Sequence, residues 1–245
     1  MHSYILTEIS IPVLDYLLIA DVYTTNNTKN VLLFFAGYGS DKERNHEFLK
    51  GLVEATGLTV VCMNLSGHGI QHVFDLNDTR PSQHIIEAAS LYEWAQDRFK
   101  NTPIILMGNS YGGYIAAQLS TYKKINALVL RAPTVYPANI LMSKQRDIDR
   151  ETISSIYRKD EDALKINPLF VQLSKPHKFA SLVMVHDEDE DVPKQTTDSY
   201  KNALGGSSYL GGGIQHSFGS PNNNKESISL YLTFLYKWLK DNTND

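Results

Sequence analysis

Residues 103–114 have the sequence Pro-Ile-Ile-Leu-Met-Gly-Asn-Ser-Tyr-Gly-Gly-Tyr, in which an apolar run leads directly into a serine flanked by glycines. The run Pro103–Met107 is typical of a β-strand buried on both faces of a parallel sheet. Tyr114–Leu119 continues with small and apolar side chains that favour a helix. The pattern Gly-x-Ser-x-Gly alone occurs by chance in roughly one of ten to twenty chains of this length. Its place between a strand and a helix predicts a sharp turn that presents the hydroxyl of Ser110.

Glycine at positions 108 and 112 suits such a turn. A nucleophilic serine sits on a strained turn so that its Oγ projects from the end of the sheet, and side chains two residues to either side would collide with the neighbouring strand or helix. Ser110 is therefore the candidate nucleophile. The alternative is an ordinary glycine-rich turn between a strand and a helix.

Apolar runs of the same kind recur along the chain and alternate with amphipathic segments. Four of them fit strands buried on both faces of a parallel sheet: Val31–Ala36, Thr59–Met63, Ala127–Leu130 and Ser181–His186. Tyr4–Val13 and Tyr16–Val22 mix polar and apolar positions, as strands at a half-exposed sheet edge do. This alternation predicts an α/β layered domain with right-handed crossovers.

Helices are predicted where apolar residues recur three and four positions apart. Ser40–Glu43 has the pattern of a capping box before one such helix, and Pro81 opens another. An apolar stripe from Ile228 to Leu239 indicates a C-terminal helix. Residues 136–178 contain no clear strand pattern, and 146–160 is typical of a helix. We predict one domain over residues 1–245, with a small helical cap insertion at about 136–178.

A serine hydroxyl is a poor nucleophile without a base, so acidic and basic partners are expected after later strands. The strand ending at His186 is followed by Asp-Glu-Asp-Glu-Asp, residues 187–191. A carboxylate there would orient an imidazole and stabilise its cation. The residues alone leave Asp187, Asp189 and Asp191 open as this acid. Alternatives are a merely solvated charged loop or a calcium loop, although the expected glycine and final glutamate of a calcium loop are missing.

His216 is the candidate base, because it lies in the last loop, after a short strand and before the C-terminal helix. A lone histidine is more often structural or at the surface. Five other histidines are therefore interpreted as structural or surface residues: His2, His46, His72, His84 and His177.

Two backbone N–H groups are needed to stabilise the oxyanion of a tetrahedral intermediate. One is expected from Tyr111, directly after the nucleophile. The other is expected from the loop after strand 31–36, where Ala-Gly-Tyr-Gly lets the backbone approach, and Tyr38 is the candidate. The same loop also fits a tight turn into a helix.

Composition limits the possible partners and surroundings. The formal net charge is −4 and no block of Lys or Arg occurs, so nothing favours a nucleic-acid or anionic-membrane partner. The sequence contains no 18-residue apolar stretch, so no membrane span is expected, and no signal-peptide pattern is found at its start. Cys62 is the single cysteine, which rules out disulfides within the chain and suits a reducing compartment. A cytoplasmic protein is expected, and its oligomeric state is open.

Four motifs in order give the sequence a resemblance to the α/β-hydrolase family over nearly the whole chain. The motifs are Phe35-Ala36-Gly37-Tyr38-Gly39, Asn64-Leu65-Ser66-Gly67-His68-Gly69, Gly108–Gly112 and Asp189-Glu190-Asp191-Val192-Pro193. They resemble the oxyanion loop, the Asp-x-x-Gly-His-Gly segment, the nucleophile elbow and an Asp-x-x-Val-Pro stretch. Ala36 and Asn64 depart from the family's His and Asp, and the loop before Asp189 is one residue shorter than usual.

The resemblance implies an α/β-hydrolase fold, with a mostly parallel eight-stranded sheet and helices on both faces. It selects Asp189 as the acid, implies a structural role for His68, and implies that no metal or cofactor is needed. Within the family, the chain looks most like the monoacylglycerol-lipase, feruloyl-esterase and serine-aminopeptidase-like group.

Three hypotheses follow for the function. The first is a serine hydrolase that cleaves carboxylic esters of small or medium acyl groups through Ser110, His216 and Asp189. The second is a peptidase, acyltransferase or thioesterase with the same residues. The third is a catalytically silent protein of this fold that binds a small molecule or a partner.

Overall fold

The computed structural model describes residues 2–26, 28–69 and 74–243, and an eight-stranded sheet forms its centre. The order of strands across the sheet is β1-β2-β4-β3-β5-β6-β7-β8. Their bounds are β1 (Tyr4–Val13), β2 (Tyr16–Thr25), β3 (Val31–Phe35), β4 (Thr59–Met63), β5 (Ile104–Asn109), β6 (Ala127–Arg131), β7 (Ala180–Glu188) and β8 (Ser207–Gln215). The β1–β2 and β2–β4 pairs are antiparallel, and the pairs from β4 to β8 are parallel.

Helices cover both faces of the sheet. They are α1 (His46–Thr56), α2 (Pro81–Arg98), α3 (Tyr111–Ser120), α4 (Arg150–Ser155), α5 (Glu161–Lys165), α6 (Pro168–Leu173), α7 (Lys194–Leu204) and α8 (Lys225–Thr243). Residues of α2, α3, α6 and α7 pack in the core on one face, and residues of α1 and α8 pack in the core on the other. The predicted α/β-hydrolase fold is therefore confirmed.

Strand β3 shows why the central apolar runs are nearly continuous. All five of its residues are buried, and successive side chains point to opposite faces of a strand. Leu33 and Phe35 accordingly pack toward α2 and α3, while Leu32 and Phe34 pack toward α1 and α8. Both faces of the strand therefore need apolar side chains.

The capping box at Ser40–Glu43 is wrong as a helix start. Helix α1 begins only at His46, and its N-cap residue Asn45 makes no side-chain capping bond. The N–H of Lys42 donates to Oδ1 of Asn64 at 2.7 Å, and its ammonium donates to Asp21 at 2.9 Å. Residues 42–45 form turns before the helix, and the contacts of Lys42 with Asn64 and Asp21 are not part of a local capping pattern.

The helix predicted over 146–160 is also broken. Helix α4 covers only six residues, and a short 3-10 turn at Tyr157–Lys159 follows it. Asp149 accepts a hydrogen bond from the N–H of Thr152, and Asp160 accepts from two N–H groups at the start of α5. Aspartate caps helices from outside, so each of these residues begins a new short helix.

Within the described residues, no helix is long and apolar enough to cross a membrane.

Candidate active site

Ser110 lies at the turn between β5 and α3 in a strained backbone conformation. Its φ is 52° and its ψ is −116°, in a region that a residue with a side chain adopts only at an energetic cost. The N–H of Ser110 donates to the carbonyl of Arg131 at 2.9 Å, and the carbonyl of Ser110 accepts from the N–H groups of Tyr114 and Thr134. These bonds fix the turn so that the hydroxyl stands at the carboxyl end of the sheet.

The glycines beside Ser110 are required by close backbone contacts. A Cβ on Gly108 would overlap the carbonyl of Gly112, and a Cβ on Gly112 would overlap the carbonyl of Phe35 at the end of β3. The steric reason given for these two glycines from the sequence thus has a specific partner in each case.

Ser110, His216 and Asp189 are brought together from three separate strands. Nε2 of His216 lies 2.9 Å from Oγ of Ser110, and Nδ1 of His216 lies 2.9 Å and 3.0 Å from the two carboxylate oxygens of Asp189. An ionised carboxylate only accepts hydrogen bonds, so Nδ1 donates. In the neutral imidazole, Nε2 then presents its lone pair to the serine hydroxyl.

The three aspartates of the acidic loop differ in burial and in hydrogen-bond partners. The side chain of Asp189 is only 3% exposed, and its Oδ1 accepts hydrogen bonds from the N–H groups of Asp191 and Val192. Asp187 is exposed and accepts instead from the N–H of Ile214 at 3.2 Å. Asp191 is exposed as well, and of the three only Asp189 contacts His216.

The end of β8 positions His216 through the loop that follows it. The carboxyl end of β8 lies beside that of β7, where Glu188 pairs with Gln215 after an irregularity in the register. Asn223 then holds the loop: its Oδ1 accepts from the N–H of Gln215 at 2.7 Å, and its Nδ2 donates to the carbonyl of Ser217 at 2.6 Å. His216 is thereby held from both sides.

The loop after β3 passes close to Ser110. A Cβ on Gly37 would lie 3.6 Å from Cβ of Ser110, so the backbone just before Tyr38 is near the hydroxyl. The N–H of Tyr111, the first residue of α3, has no acceptor within its own helix, as is usual in the first turn. Among the described residues, neither this N–H nor that of Tyr38 donates to another backbone or side-chain group.

Buried polar groups behind the elbow were missed by the sequence analysis. His84, interpreted there as structural or at the surface, is fully buried, and its Nδ1 accepts from the Tyr111 hydroxyl at 2.7 Å. Its Nε2 donates to the carbonyl of Ser66 at 3.0 Å. Burial lowers the pKa of His84 to about 3, so the ring is neutral at pH 7.

Glu87, on the next turn of α2, is the other buried group in this network. It accepts from the N–H and hydroxyl of Ser66 and from the hydroxyl of Tyr16. Burial raises the pKa of its carboxyl group above the usual value. No periodic pattern in the sequence indicates that His84 and Glu87 bond to Ser66, because these residues come from separate segments of the chain.

Two other histidines lie near the site. His68 is buried with its ring stacked on that of Tyr111, consistent with the structural role expected of it. His186 is buried beneath the acidic loop, and Nδ1 lies 4.0 Å from Asp189. Burial, and then the nearby charge of Arg131, lower the pKa of His186 to about 3. His72 lies outside the described residues.

A cavity of about 410 Å³ opens above Ser110. Its size is that of a small-molecule site. The residues that line it are Gly37, Tyr38, Ser40, Asn45, Asn109, Ser110, Arg131, Thr134, Tyr136, Arg150, Ser154, Arg158, Asp191, His216 and Ser217. Several come from the segment 136–178, and three are arginines that no motif of the sequence indicates. In the part of the chain that the structure describes, no cluster of His, Cys, Asp and Glu side chains is arranged to hold a metal ion.

Solved structures with the same fold are found over nearly the whole chain. An esterase of Pyrococcus furiosus has a TM-score of 0.73 at 15% identity, with 98% of this chain and 92% of that chain covered. A thermostable carboxyl esterase of Bacillus coagulans, solved with glycerol, has a TM-score of 0.72 at 14% identity and covers 97% and 99%. An esterase of Pyrobaculum calidifontis has a TM-score of 0.69 at 17% identity and covers 97% and 85%. At these identities the likeness defines the fold, that of the α/β hydrolases.

The family follows from the sequence itself. Residues 26–172, more than half of the chain, match the model of the family described as serine aminopeptidase, S33. The chain therefore belongs to this family of α/β hydrolases. A comparison with the sequences of curated proteins finds no significant match.

Proposed function

We propose that the protein is a serine hydrolase that cleaves carboxylic esters with small or medium acyl groups. Ser110 is the nucleophile, His216 the general base and acid, and Asp189 the residue that orients the imidazole. The observation that carries this proposal is the continuous chain of hydrogen bonds from Oγ of Ser110 through both nitrogens of His216 to the carboxylate of Asp189.

The reaction proceeds in two acyl-transfer steps. Oγ of Ser110 attacks the carbonyl carbon while Nε2 of His216 takes the hydroxyl proton. The imidazolium, stabilised by Asp189, gives this proton to the leaving alkoxide and an acyl-enzyme remains. Water then attacks the acyl carbonyl, passes one proton to His216, and the acid leaves as the proton returns to Oγ.

The oxyanion of each tetrahedral intermediate is proposed to bind the N–H groups of Tyr38 and Tyr111. Both belong to backbone next to Ser110, and neither donates elsewhere among the described residues. A preorganised donor of this kind is worth about a hundredfold in rate, because it needs no rearrangement when the charge develops.

An ester is proposed as the substrate because the three structural relatives above are named esterases and the cavity of about 410 Å³ suits a small acyl group. A peptidase, acyltransferase or thioesterase would use the same hydroxyl and imidazole. The intact hydrogen-bond chain argues against a silent binding protein. We also propose that residues 136–178 form a cap, since Tyr136, Arg150, Ser154 and Arg158 line the cavity from above the sheet.

A fluorophosphonate probe tests the nucleophile directly. We expect labelling of the wild-type chain and of Ser90→Ala, which removes a hydroxyl on α2 outside the cavity. Ser110→Ala should not be labelled, and labelling that survives this substitution contradicts the assignment. A panel of p-nitrophenyl esters beside aminoacyl-naphthylamides then separates esterase from peptidase. Turnover on neither panel, in a chain that the probe does not label, supports the silent binding protein.

A further inference from the structure

The cavity above Ser110 has an unusual balance of charge. Among the described residues that line it, three are arginines and one, Asp191, has a carboxylate. No carboxylate oxygen in the described part of the chain lies within 4.0 Å of a nitrogen of Arg131, Arg150 or Arg158. Arginine is always charged at neutral pH, so the cavity contains cations without ion-pair partners.

Arg158 is buried, with 6% of its surface exposed. Its Nε donates to the carbonyl of Val135 at 3.1 Å, and its Nη1 donates to the carbonyl of Asp191 at 3.2 Å. Its guanidinium lies over the ring of Tyr136, 5.0 Å from the centroid. Neutral carbonyls and an aromatic face hold the group in place, but neither neutralises its charge.

Arg150 is positioned by a second set of neutral groups. Its Nη2 donates to Oε1 of Gln145 at 2.6 Å, and its Nη1 donates to the carbonyl of the same residue at 3.1 Å. Its guanidinium lies 4.1 Å from the centroid of the Tyr38 ring. Its Nε is buried and has no hydrogen-bond partner among the described residues. The positive charge of Arg150 thus lies against the ring of Tyr38, the residue whose N–H is proposed to bind the oxyanion.

Gln145 connects this arginine to the elbow. The amide Nε2 of Gln145 donates to the hydroxyl of Tyr111 at 3.3 Å, and that hydroxyl donates to His84. Gln145 is itself only 1% exposed. Arg150 is thus held in place by a buried side chain. A group that recognises a substrate needs such support to keep its geometry.

The third arginine, Arg131, lies among a different set of neighbours. Arg131 lies over the ring of Phe218, 4.1 Å from the centroid, and its charge acts on Asp189 and His186. Asp189 offsets part of this charge. Arg150 and Arg158 remain, and the exposed Asp191 is the one carboxylate among the described lining residues to set against their two charges.

From this excess we propose that the substrate has an anionic group, a carboxylate or a phosphate, that binds to Arg150 and Arg158 while its ester carbonyl lies at Ser110. The inference rests on the proposed function and names the substrate class of the same site. Guanidinium groups match both anions in shape and bind them through charge-assisted hydrogen bonds. In a partly desolvated cavity the attraction is screened less than in water.

The same charge disfavours a substrate with a free ammonium group next to the scissile carbonyl. In the cavity such a group would face the guanidinium groups of Arg150 and Arg158, with Asp191 as the one carboxylate among the described lining residues. An aminopeptidase-type substrate is therefore expected to bind poorly here, although the family is described by that activity.

The test compares two p-nitrophenyl esters that differ in charge and hardly in size, mono-p-nitrophenyl adipate and its methyl ester, and the spontaneous hydrolysis of each is subtracted. For the wild-type chain we expect kcat/KM to be about tenfold to a hundredfold higher for the anionic ester, the worth of one or two charge-assisted hydrogen bonds. Arg150→Gln and Arg158→Gln should each lower this ratio about tenfold. Arg98→Gln, an exposed arginine at the end of α2, should leave it unchanged.

The ratio is measured within one preparation, so partial unfolding of an Arg158 variant cancels, and Arg150 provides an independent test. Inhibition of the neutral ester's hydrolysis by glutarate or by inorganic phosphate assigns the anion; inhibition by neither counts against the proposal. Equal or faster hydrolysis of the neutral ester, or a ratio unchanged in both variants, overturns the inference and leaves the serine hydrolase intact. Failure of the proposed function is distinct: Ser110 is then not labelled and neither ester reacts.

Discussion

Nδ1 of His216 lies 2.9 Å from Oδ2 of Asp189, and the aspartate side chain is almost completely shielded from water. The same carboxylate accepts hydrogen bonds from two backbone N–H groups, those of Asp191 and Val192, in the turn that follows it. Asp189 is therefore fixed in place independently of the histidine, so that it sets the orientation of the ring.

Asp189→Asn should reduce kcat by about 10³- to 10⁴-fold with little change in KM, because the amide no longer enforces the tautomer with Nδ1 protonated. Asp187→Asn is the matched control, since among the described residues this exposed carboxylate bonds to the backbone of β8 and not to His216. Steady-state kinetics on one p-nitrophenyl ester measure both. Loss of activity in the Asp187 variant with an active Asp189 variant would show that the wrong acid was chosen.

Gly112→Ala is expected to destabilise the fold by about 1–3 kcal/mol or more and to abolish labelling of Ser110. The added Cβ would overlap the carbonyl of Phe35, and overpacking against backbone cannot be relieved by a side-chain rotation. Gly219→Ala is the control, because its Cβ would lie 3.7 Å from the nearest atom, the Oγ of Ser217. Thermal unfolding of the three chains measures the effect, and equal Tm values would contradict the close approach.

Stability should fall as the pH is lowered from about 6.5 toward 3. Burial lowers the pKa of His84 and of His186 to about 3, whereas a histidine in the unfolded chain titrates near 6.5. Below that pH the unfolded state binds protons that the folded state does not, so each ring costs on the order of 1 kcal/mol per pH unit. The contribution is complete above pH 6.5 and is lost progressively below it.

Urea unfolding at pH 7, 6 and 5 measures this dependence. His186→Gln should reduce the slope of stability against pH relative to the wild-type chain over the same interval. An identical slope in both chains would mean that His186 does not stay neutral in the folded state.

Lys42→Gln should cost about 3 kcal/mol of folding free energy. The lysine side chain is 7% exposed and pairs at 2.9 Å with Asp21, which is 11% exposed, and removing one partner leaves a buried charge uncompensated. Lys165→Gln is the matched control, since its partner Asp162 is fully in solvent and such pairs contribute little. Chemical denaturation compares the variants, and equal losses would show that burial of the Lys42 pair is unimportant.

Much of the fold was predictable from local patterns. The continuous apolar run of β3 and the mixed pattern of β1 follow from how many faces each strand buries, which the order of side chains along a strand records. The turn at Ser110 was also predictable from a local pattern, because a strand, two glycines and a helix lie within a dozen residues. The roles of Ser110, Asp189 and His216 in catalysis stay predictions, now with a defined geometry.

Long-range contacts decided what local patterns did not. Helix α1 begins at His46 rather than near Ser40, and Lys42 bonds to Asn64 and Asp21, two partners that the local capping pattern does not contain. From the residues alone, the three aspartates of the acidic loop were equivalent. Only the folded loop directs one of them at His216, because pairing of β7 with β8 brings the two strand ends together.

The hydroxyl at position 110 was thus evident from a dozen consecutive residues, whereas its surroundings required the complete fold. Arg150 and Arg158 have no motif, and their meeting with Ser110 depends on a segment that packs back over the sheet from β6. Local sequence determines backbone shape through short-range sterics and periodicity. The charge of a cavity depends on side chains that are distant in sequence, so it becomes visible only when the chain has folded.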